Sequence, residues 1–330
     1  MAHVHGIHHV TAITSSAEKI YHFFTHILSL RLVKKTVNQD DIQTYHLFFA
    51  DDEGSPGTDM TFFDFRGIQK ATRGANEISR TGFRVPNNKA LDYWIKRFEH
   101  YDVKHDPIQT LFDSHVLYFE DFDGQRYALF SDENNQGIAS GKPWKNGPVP
   151  EDVAITGLGP IFFDVNDPDF MHTILTDILG MKEEARNDDM TLYKMGQGGN
   201  GARVIVKRSN IKTRAMQGYG AVHHVAFRIE DKAMLERWID RLESVNARHS
   251  GFVDRFYFKS LYTRLYPGIL FEFATDGPGF IDEDESYETL GETLALPPVF
   301  KQYRKEVEAA VRPFDTSKTN LPKAKETYDA

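Results

Sequence analysis

An α+β fold of four βαβββ modules, paired into two domains with curved mixed sheets, is predicted for this 330-residue chain by three observations. The strand-like stretch GIHHVTAI (Gly6 to Ile13) returns more than two hundred residues later as AVHHVAFRI (Ala221 to Ile229). One order of apolar patterns, a strand, an amphipathic helix and then several short strands, is written four times at a spacing of roughly 50 to 65 residues, the signature of an internal repeat. Between the second and third units lies the aperiodic, Gly- and Pro-rich stretch NNQGIASGKPWKNGPVPEDV (Asn134 to Val153), which reads as a linker. These divisions give an N-terminal domain over 1–135, a linker over 136–153, a C-terminal domain over 154–280, and a helix with a polar tail over 281–330.

The first unit opens with the strand from Gly6 to Ile13. It continues through AEKIYHFFTHILSL, where Ile20, Phe23, Phe24, Ile27 and Leu28 recur at helical spacing, and ends in the apolar runs TYHLFFA and DMTFFDF. In the second unit ISRTGFRVP precedes the helix NKALDYWIKRFEHY, followed by SHVLYFED and QRYALFSD. The third runs from ITGLGPIFFDV through DPDFMHTILTDILGM to MTLYKMG and GARVIVKRS. The fourth starts at GAVHHVAFRI, passes through DKAMLERWIDRLESV and finishes with FYFKSLYTRLYP and GILFEFATD. After Phe280 come the acidic IDEDESYE, an amphipathic helix over PPVFKQYRKEVEAAVRPF, and a tail whose last dozen residues are expected to be disordered. DDEGSPG (Asp51 to Gly57) reads as a hairpin loop.

Composition narrows the function classes. Hydrophobic residues make up 40% and charged residues 26%, the balance of a soluble globular protein. A formal net charge of −9 argues against general affinity for nucleic acid or an anionic membrane, which leaves a small molecule as the expected partner. With no cysteine there is neither a disulfide framework nor a thiolate ligand, so any metal must be held by histidines and carboxylates. Neither a signal-peptide pattern nor an apolar run long enough to span a membrane is present, and a cytoplasmic location is expected.

The duplicated His-His pairs suggest why the repeat was kept. Side chains alternate along a strand, so one histidine of each pair should face the concave side of a curved sheet and the other should face away or toward a neighbouring module. Aligning the four openings makes His9 and His224 equivalent, with Gly82, or a residue near it, at that place in the second unit and Pro160 in the third. A third ligand belongs on a unit's last strand, which lies beside its first. There Glu272, in GILFEFATD, is a lone carboxylate between apolar neighbours, whereas the first and second units offer Thr61 and Ala128. Two histidines and one carboxylate suit a facial triad on non-heme Fe(II), with Mn²⁺ as an alternative for the same donors. His3 and His5, near the terminus, are read as solvated.

GIHHVTAI, YHLFFADDEGSPGTDMTFF, HHVAF and DRFYFKSLYTR with GILFEF, in this order from about Gly6 to Phe280, resemble the glyoxalase / bleomycin-resistance / extradiol dioxygenase superfamily with its vicinal oxygen chelate fold. Within it the chain is most similar to the bacterial ring-cleaving dioxygenases that act on hydroquinones. The resemblance implies metal ligands at His9, His224 and Glu272 and places the metal between the first and fourth modules. It also implies substrate-facing roles for His8 and Thr11, and roles in the chemistry for His223, Tyr262 and Arg255. His223 or Tyr262 would serve as the acid/base group and Arg255 would hold negative charge developing on a substrate oxygen. The partners implied are an aromatic diol and O₂, with self-association left open through exposed sheet edges.

Two other functions use the same fold. A glyoxalase-type isomerase or lyase would be expected to bring four protein ligands, and Thr61 stands where the fourth would be. A sequestering protein without catalysis would leave His9, His224 and Glu272 unexplained.

Overall fold

The computed structural model describes residues 2–328. Each of the four units folds as βαβββ. The first comprises β1 (Gly6–Ile13), α1 (Ala17–His22), β2 (Arg31–Asn38), β3 (Asp41–Ala50) and β4 (Asp59–Phe63); the second comprises β5 (Glu77–Val85), α2 (Asn88–His100), β6 (Gln109–Leu111), β7 (Ser114–Glu120) and β8 (Arg126–Ser131). The third contains β9 (Gly157–Val165), α3 (Pro168–Thr173), β10 (Lys182–Arg186), β11 (Met190–Lys194) and β12 (Arg203–Arg208). The fourth contains β13 (Ala221–Ile229), α4 (Lys232–Ser244), β14 (Val253–Asp254), β15 (Phe258–Tyr266) and β16 (Ile269–Pro278).

The helix starts are set by side-chain caps. Asn87 accepts from the Ala90 amide at 2.9 Å before α2, and Asp231 accepts from Met234 at 2.8 Å before α4, in each case satisfying an amide with no partner inside the helix. On α4 the buried face is Met234, Leu235, Trp238 and Leu242, and Trp238 stacks on Phe273 of β16 with ring centroids 4.3 Å apart. Phe271 and Phe273 face this core, so strand alternation turns Glu272 to the opposite side of the sheet.

Two eight-stranded mixed sheets result, with strand orders β14-β15-β16-β13-β1-β4-β3-β2 and β10-β11-β12-β9-β5-β8-β7-β6. The first and fourth units thus share one sheet, joined antiparallel through β1 and β13, and the second and third share the other through β5 and β9. Neither sheet is confined to 1–135 or to 154–280: each takes one unit from either side of the connection at 136–153. That connection is ordered, with Trp144 and Val149 buried and the Val153 carbonyl accepting from the Trp94 indole at 2.8 Å.

The C-terminal segment departs from expectation twice. The long helix is broken into α5 (Pro298–Lys301) and α6 (Arg304–Ala310). The tail is packed as far as Tyr328, the last two residues lying outside the described ones. Arg97, fully buried on α2, donates to the carbonyls of His26 and Ile27 and pairs with Glu326 at 2.9 Å, while Lys325 donates to the carbonyls of Lys145, Gly147 and Val149. A buried guanidinium needs a carboxylate, and the polar tail supplies it. Among the described residues no helix is long and apolar enough to cross a membrane.

Candidate metal centre and aromatic cavity

His9 on β1, His224 on β13 and Glu272 on β16 meet on the concave face of the first sheet. Glu272 Oε2 lies 3.1 Å from His9 Nε2 and 2.9 Å from His224 Nε2, and the two Nε2 atoms are 3.3 Å apart. Relative exposure is 2%, 5% and 0% for His9, His224 and Glu272, which puts all three donors out of reach of bulk water. The other carboxylate oxygen, Oε1, accepts a 2.6 Å hydrogen bond from Ser260 on β15, also buried.

Two β-bulges aim these side chains. Between the pairs Ile7↔Phe227 and His9↔Ala226 one extra residue, His8, is inserted into β1; between Thr11↔His224 and Ala12↔Val222 the extra residue is His223 on β13. A bulge interrupts strand alternation, so the two histidines of each pair are not turned to opposite faces. Their rings stand edge to face, with Nδ1–Nδ1 contacts of 2.9 Å for His8–His9 and 2.8 Å for His223–His224.

The network assigns the tautomers. His8 Nε2 is 3.0 Å from the Thr275 carbonyl, an acceptor only, so this nitrogen carries the hydrogen. Burial depresses the His8 pKa to about 3 and keeps the ring neutral. His8 Nδ1 then accepts from His9 Nδ1–H, which leaves a lone pair on His9 Nε2 facing Glu272. His223, depressed to about 3 chiefly by burial, can accept from His224 Nδ1–H in the same way, with its own Nε2–H directed elsewhere. With these tautomers three lone-pair atoms converge, and Glu272 Oε2 receives no hydrogen bond although buried. Such a cluster is repulsive unless a cation joins it, so the donors fit a divalent metal.

A cavity of about 350 Å³ opens onto His9 and His224. Its walls include Phe48, Phe63, Phe65, Tyr257, Phe258 and the His46 ring, with Arg255 and Tyr262 among the polar groups. Arg255 Nε donates to the Tyr262 hydroxyl oxygen at 3.2 Å and Nη2 pairs with Asp40 at 3.0 Å. Burial pushes the Tyr262 phenol above its ordinary value, so it stays protonated.

His223, Arg255 and Tyr262 therefore line the cavity beside His9 and His224. His8 and Thr11 do not. His8 sits behind His9, and Thr11 is buried with its hydroxyl 2.7 Å from Thr61, whose own hydroxyl is 2.9 Å from His46 Nε2. A substrate contact expected of them has no surface to act through. The expected equivalence also slips by two residues in the second unit. The bulge at Ser79 and the pair Arg80↔Phe162 make Arg80, two residues before Gly82, the equivalent of His9. A slip of two preserves strand parity and gives no warning in the pattern. Thr61, Ala128 and Pro160 hold the places expected of them: Thr11↔Thr61 and Gly82↔Ala128 stand level with Ala226↔Glu272, and Phe162↔Ile205 puts Pro160 level with His224. His46 and Ser260 were not singled out from sequence. A lone histidine or serine on a strand carries no periodic signal, and only the registers bring them to Thr61 and Glu272.

The chain is 42% identical over 94% of its length to MhqA of Bacillus subtilis (strain 168), named as a ring-cleaving dioxygenase, and covers 99% of it. The chain belongs to the ring-cleaving dioxygenases. A crystal structure of a Bacillus subtilis dioxygenase superposes on 96% of this dioxygenase and 99% of its own chain, with a TM-score of 0.87 and 34% identity. A chlorohydroquinone/hydroquinone 1,2-dioxygenase of Sphingobium indicum is 29% identical over 92% of the chain and 95% of its own length. Glyoxalase I from Zea mays, at 14% identity, a TM-score of 0.57 and coverage of 82% and 92%, shares the fold. No protein-family model matches the dioxygenase.

Proposed function

We propose that His9, His224 and Glu272 hold one Fe(II) ion, with Mn²⁺ as the alternative, and that the enzyme cleaves the ring of a hydroquinone- or catechol-type diol with O₂. The observation that carries this reading is the convergence of three buried lone-pair donors at the end of an aromatic-walled cavity. Similarity to a chlorohydroquinone/hydroquinone 1,2-dioxygenase supports the hydroquinone branch. When bound, the ion would acidify the diol and carry electrons from it to O₂.

The rest falls to the chain. Phe63, Phe65, Phe258 and His46 present ring faces and edges to a flat substrate and keep water away from it. We assign neutral His223 the donor side of the acid/base work: its Nδ1 is engaged by His224, and its Nε2–H is the hydrogen offered to a substrate oxygen. Tyr262 accepts from Arg255, so its own hydrogen is free to donate to a substrate oxygen. The Arg255 guanidinium, steadied by Asp40 and by the Gln39 amide at its carbonyl, stabilises negative charge there. His8 acts through His9 and is a positioning residue. An isomerase would want a fourth donor, and Thr61 offers only a hydroxyl already shared between Thr11 and His46. The partners on this reading are the diol and O₂. A reducing cytoplasm is compatible with a ferrous ion and a cysteine-free chain.

The test is O₂ consumption by anaerobically Fe(II)-reconstituted protein given methylhydroquinone and, separately, catechol, beside Glu272→Ala. Uptake stoichiometric with ring loss and abolished in the variant is expected. No uptake despite tightly bound metal would move the isomerase reading to first place.

A further inference from the structure

A second histidine-carboxylate cluster stands outside the cavity. His3, His5 and Glu230 each present one donor atom, all within 4.8 Å of one another. Glu230 Oε1 lies 3.1 Å from His5 Nε2 and 3.8 Å from His3 Nε2, and the two rings meet edge to face with centroids 4.6 Å apart. Sequence alone gave no reason to join them, since Glu230 follows β13 by one residue and the histidines precede β1.

The segment bearing the histidines is held in place before any ligand arrives. The indole of fully buried Trp238 donates to the His3 carbonyl at 3.2 Å, and the His5 amide donates to the Arg228 carbonyl at 3.0 Å, next to the Gly6↔Arg228 pair of the sheet. Extended backbone puts residues i and i+2 on one face, so His3 and His5 reach Glu230 from the same side. His5 Nε2 is shielded from solvent yet receives no hydrogen bond.

We propose that His3, His5 and Glu230 bind a divalent ion of the zinc class, completed by water, as a clasp between β1 and β13. Tetrahedral zinc with ligands at about 2.0 to 2.2 Å places donors roughly 3.3 to 3.5 Å apart, within small rotations of the distances present. The donor types repeat those of the buried triad, but the setting differs. Glu230 and His3 are about half exposed, at 57% and 48%, so no enclosing cavity restricts the ion, and a borderline ion with intrinsic affinity for imidazole prevails over Fe(II). The clasp joins the two strands that carry His9 and His224, at the ends of the β1–β13 ladder.

Zinc binding to the full chain, followed by isothermal titration, tests this. The unsubstituted protein is expected to bind two ions per chain. His5→Ala and Glu230→Gln should each lose one of them or weaken it roughly ten-fold or more, with O₂ uptake of the Fe(II)-reconstituted protein unchanged. Glu272→Ala should retain the ion that His5→Ala loses. Unaltered stoichiometry and affinity in both His5→Ala and Glu230→Gln would overturn the proposal. If His5→Ala loses an ion while Glu272→Ala loses none, the exposed site stands and the reading of the buried triad fails.

Discussion

Replacing His8 by Phe tests the tautomer network directly. The buried ring lies edge-on to Phe258 with centroids 5.2 Å apart, and the larger phenyl must also shift by a few tenths of an ångström from atoms that now sit at 2.9 and 3.0 Å, so the apoprotein stability reads that strain together with the lost hydrogen bonds. Two interactions are lost. The Thr275 carbonyl gives up a buried donor at 3.0 Å, which costs about 1 to 3 kcal/mol of stability. His9 Nδ1–H gives up its acceptor at 2.9 Å, so nothing holds the lone pair on Nε2 toward Glu272. Outer partners of metal-bound histidines are worth about 10- to 100-fold in metal affinity, or about 1.4 to 2.7 kcal/mol at 1.36 kcal/mol per decade. Fe(II) affinity measured anaerobically against a chromogenic chelator should fall by that factor, and the guanidinium midpoint of the apoprotein should fall with the stability term. A variant destabilised as stated but holding metal within about twofold of the unsubstituted protein would refute the reasoning, because His8 would then be only a buried polar group.

Three further outcomes are expected. Ser260→Ala leaves Glu272 Oε1 without its 2.6 Å donor and should lower metal affinity about 10-fold or more while leaving KM for the diol nearly unchanged, as chelator competition and steady-state O₂ uptake will show. Tyr262→Phe keeps the ring but removes the hydroxyl that Arg255 orients; kcat should fall by about 10²-fold or more with metal content intact, and loss of the metal instead would place Tyr262 with the ligands. Asp121, pushed up to about 7 chiefly by burial, remains protonated in the fold over a window where the unfolded chain has released its proton. Its contribution is therefore present below the ordinary carboxylate range and lost as pH rises toward about 7, at up to about 1.4 kcal/mol per pH unit. Asp121→Asn should flatten that part of the stability profile measured by denaturant titration.

Much of this was legible in the chain. The four βαβββ units follow from the change between helical and strand periodicity. His9, His224 and Glu272 followed from duplication plus one carboxylate set among Leu270, Phe271 and Phe273. What stayed hidden depends on registers between distant strands. The bulges at His8 and His223 shift one residue against the partner strand, and no local pattern encodes that shift; the substrate-facing place of His8 comes from the family resemblance, whereas its ring faces the Thr275 carbonyl. The tail was expected to be disordered because it is polar, yet its order comes from Arg97, seventy residues from the carbonyls it binds at His26 and Ile27 and farther still from Glu326.

The second sheet shows what the bulges do and do not decide. β5 carries an extra residue at Ser79 between Ile78↔Phe163 and Arg80↔Phe162, in the place His8 takes on β1, and β9 breaks register between the partners of Thr81 and Phe83 near the place His223 takes on β13. The backbone device is therefore common to both halves of the fold. Side chains make the difference. Arg80 stands for His9, Pro160 for His224 and Ile205 for Glu272, and Ser79 donates to Asp164 at 2.8 Å instead of orienting an imidazole. Around them Val116, Phe130, Phe162 and Leu192 form an apolar cluster, and the Arg80 guanidinium lies 3.9 Å from the Tyr118 ring centroid. With no lone pairs converging there, close packing is the favourable arrangement. Around Glu272 three donors converge instead, an arrangement that a cation would favour, and the cavity lined by His9 and His224 lies beside them.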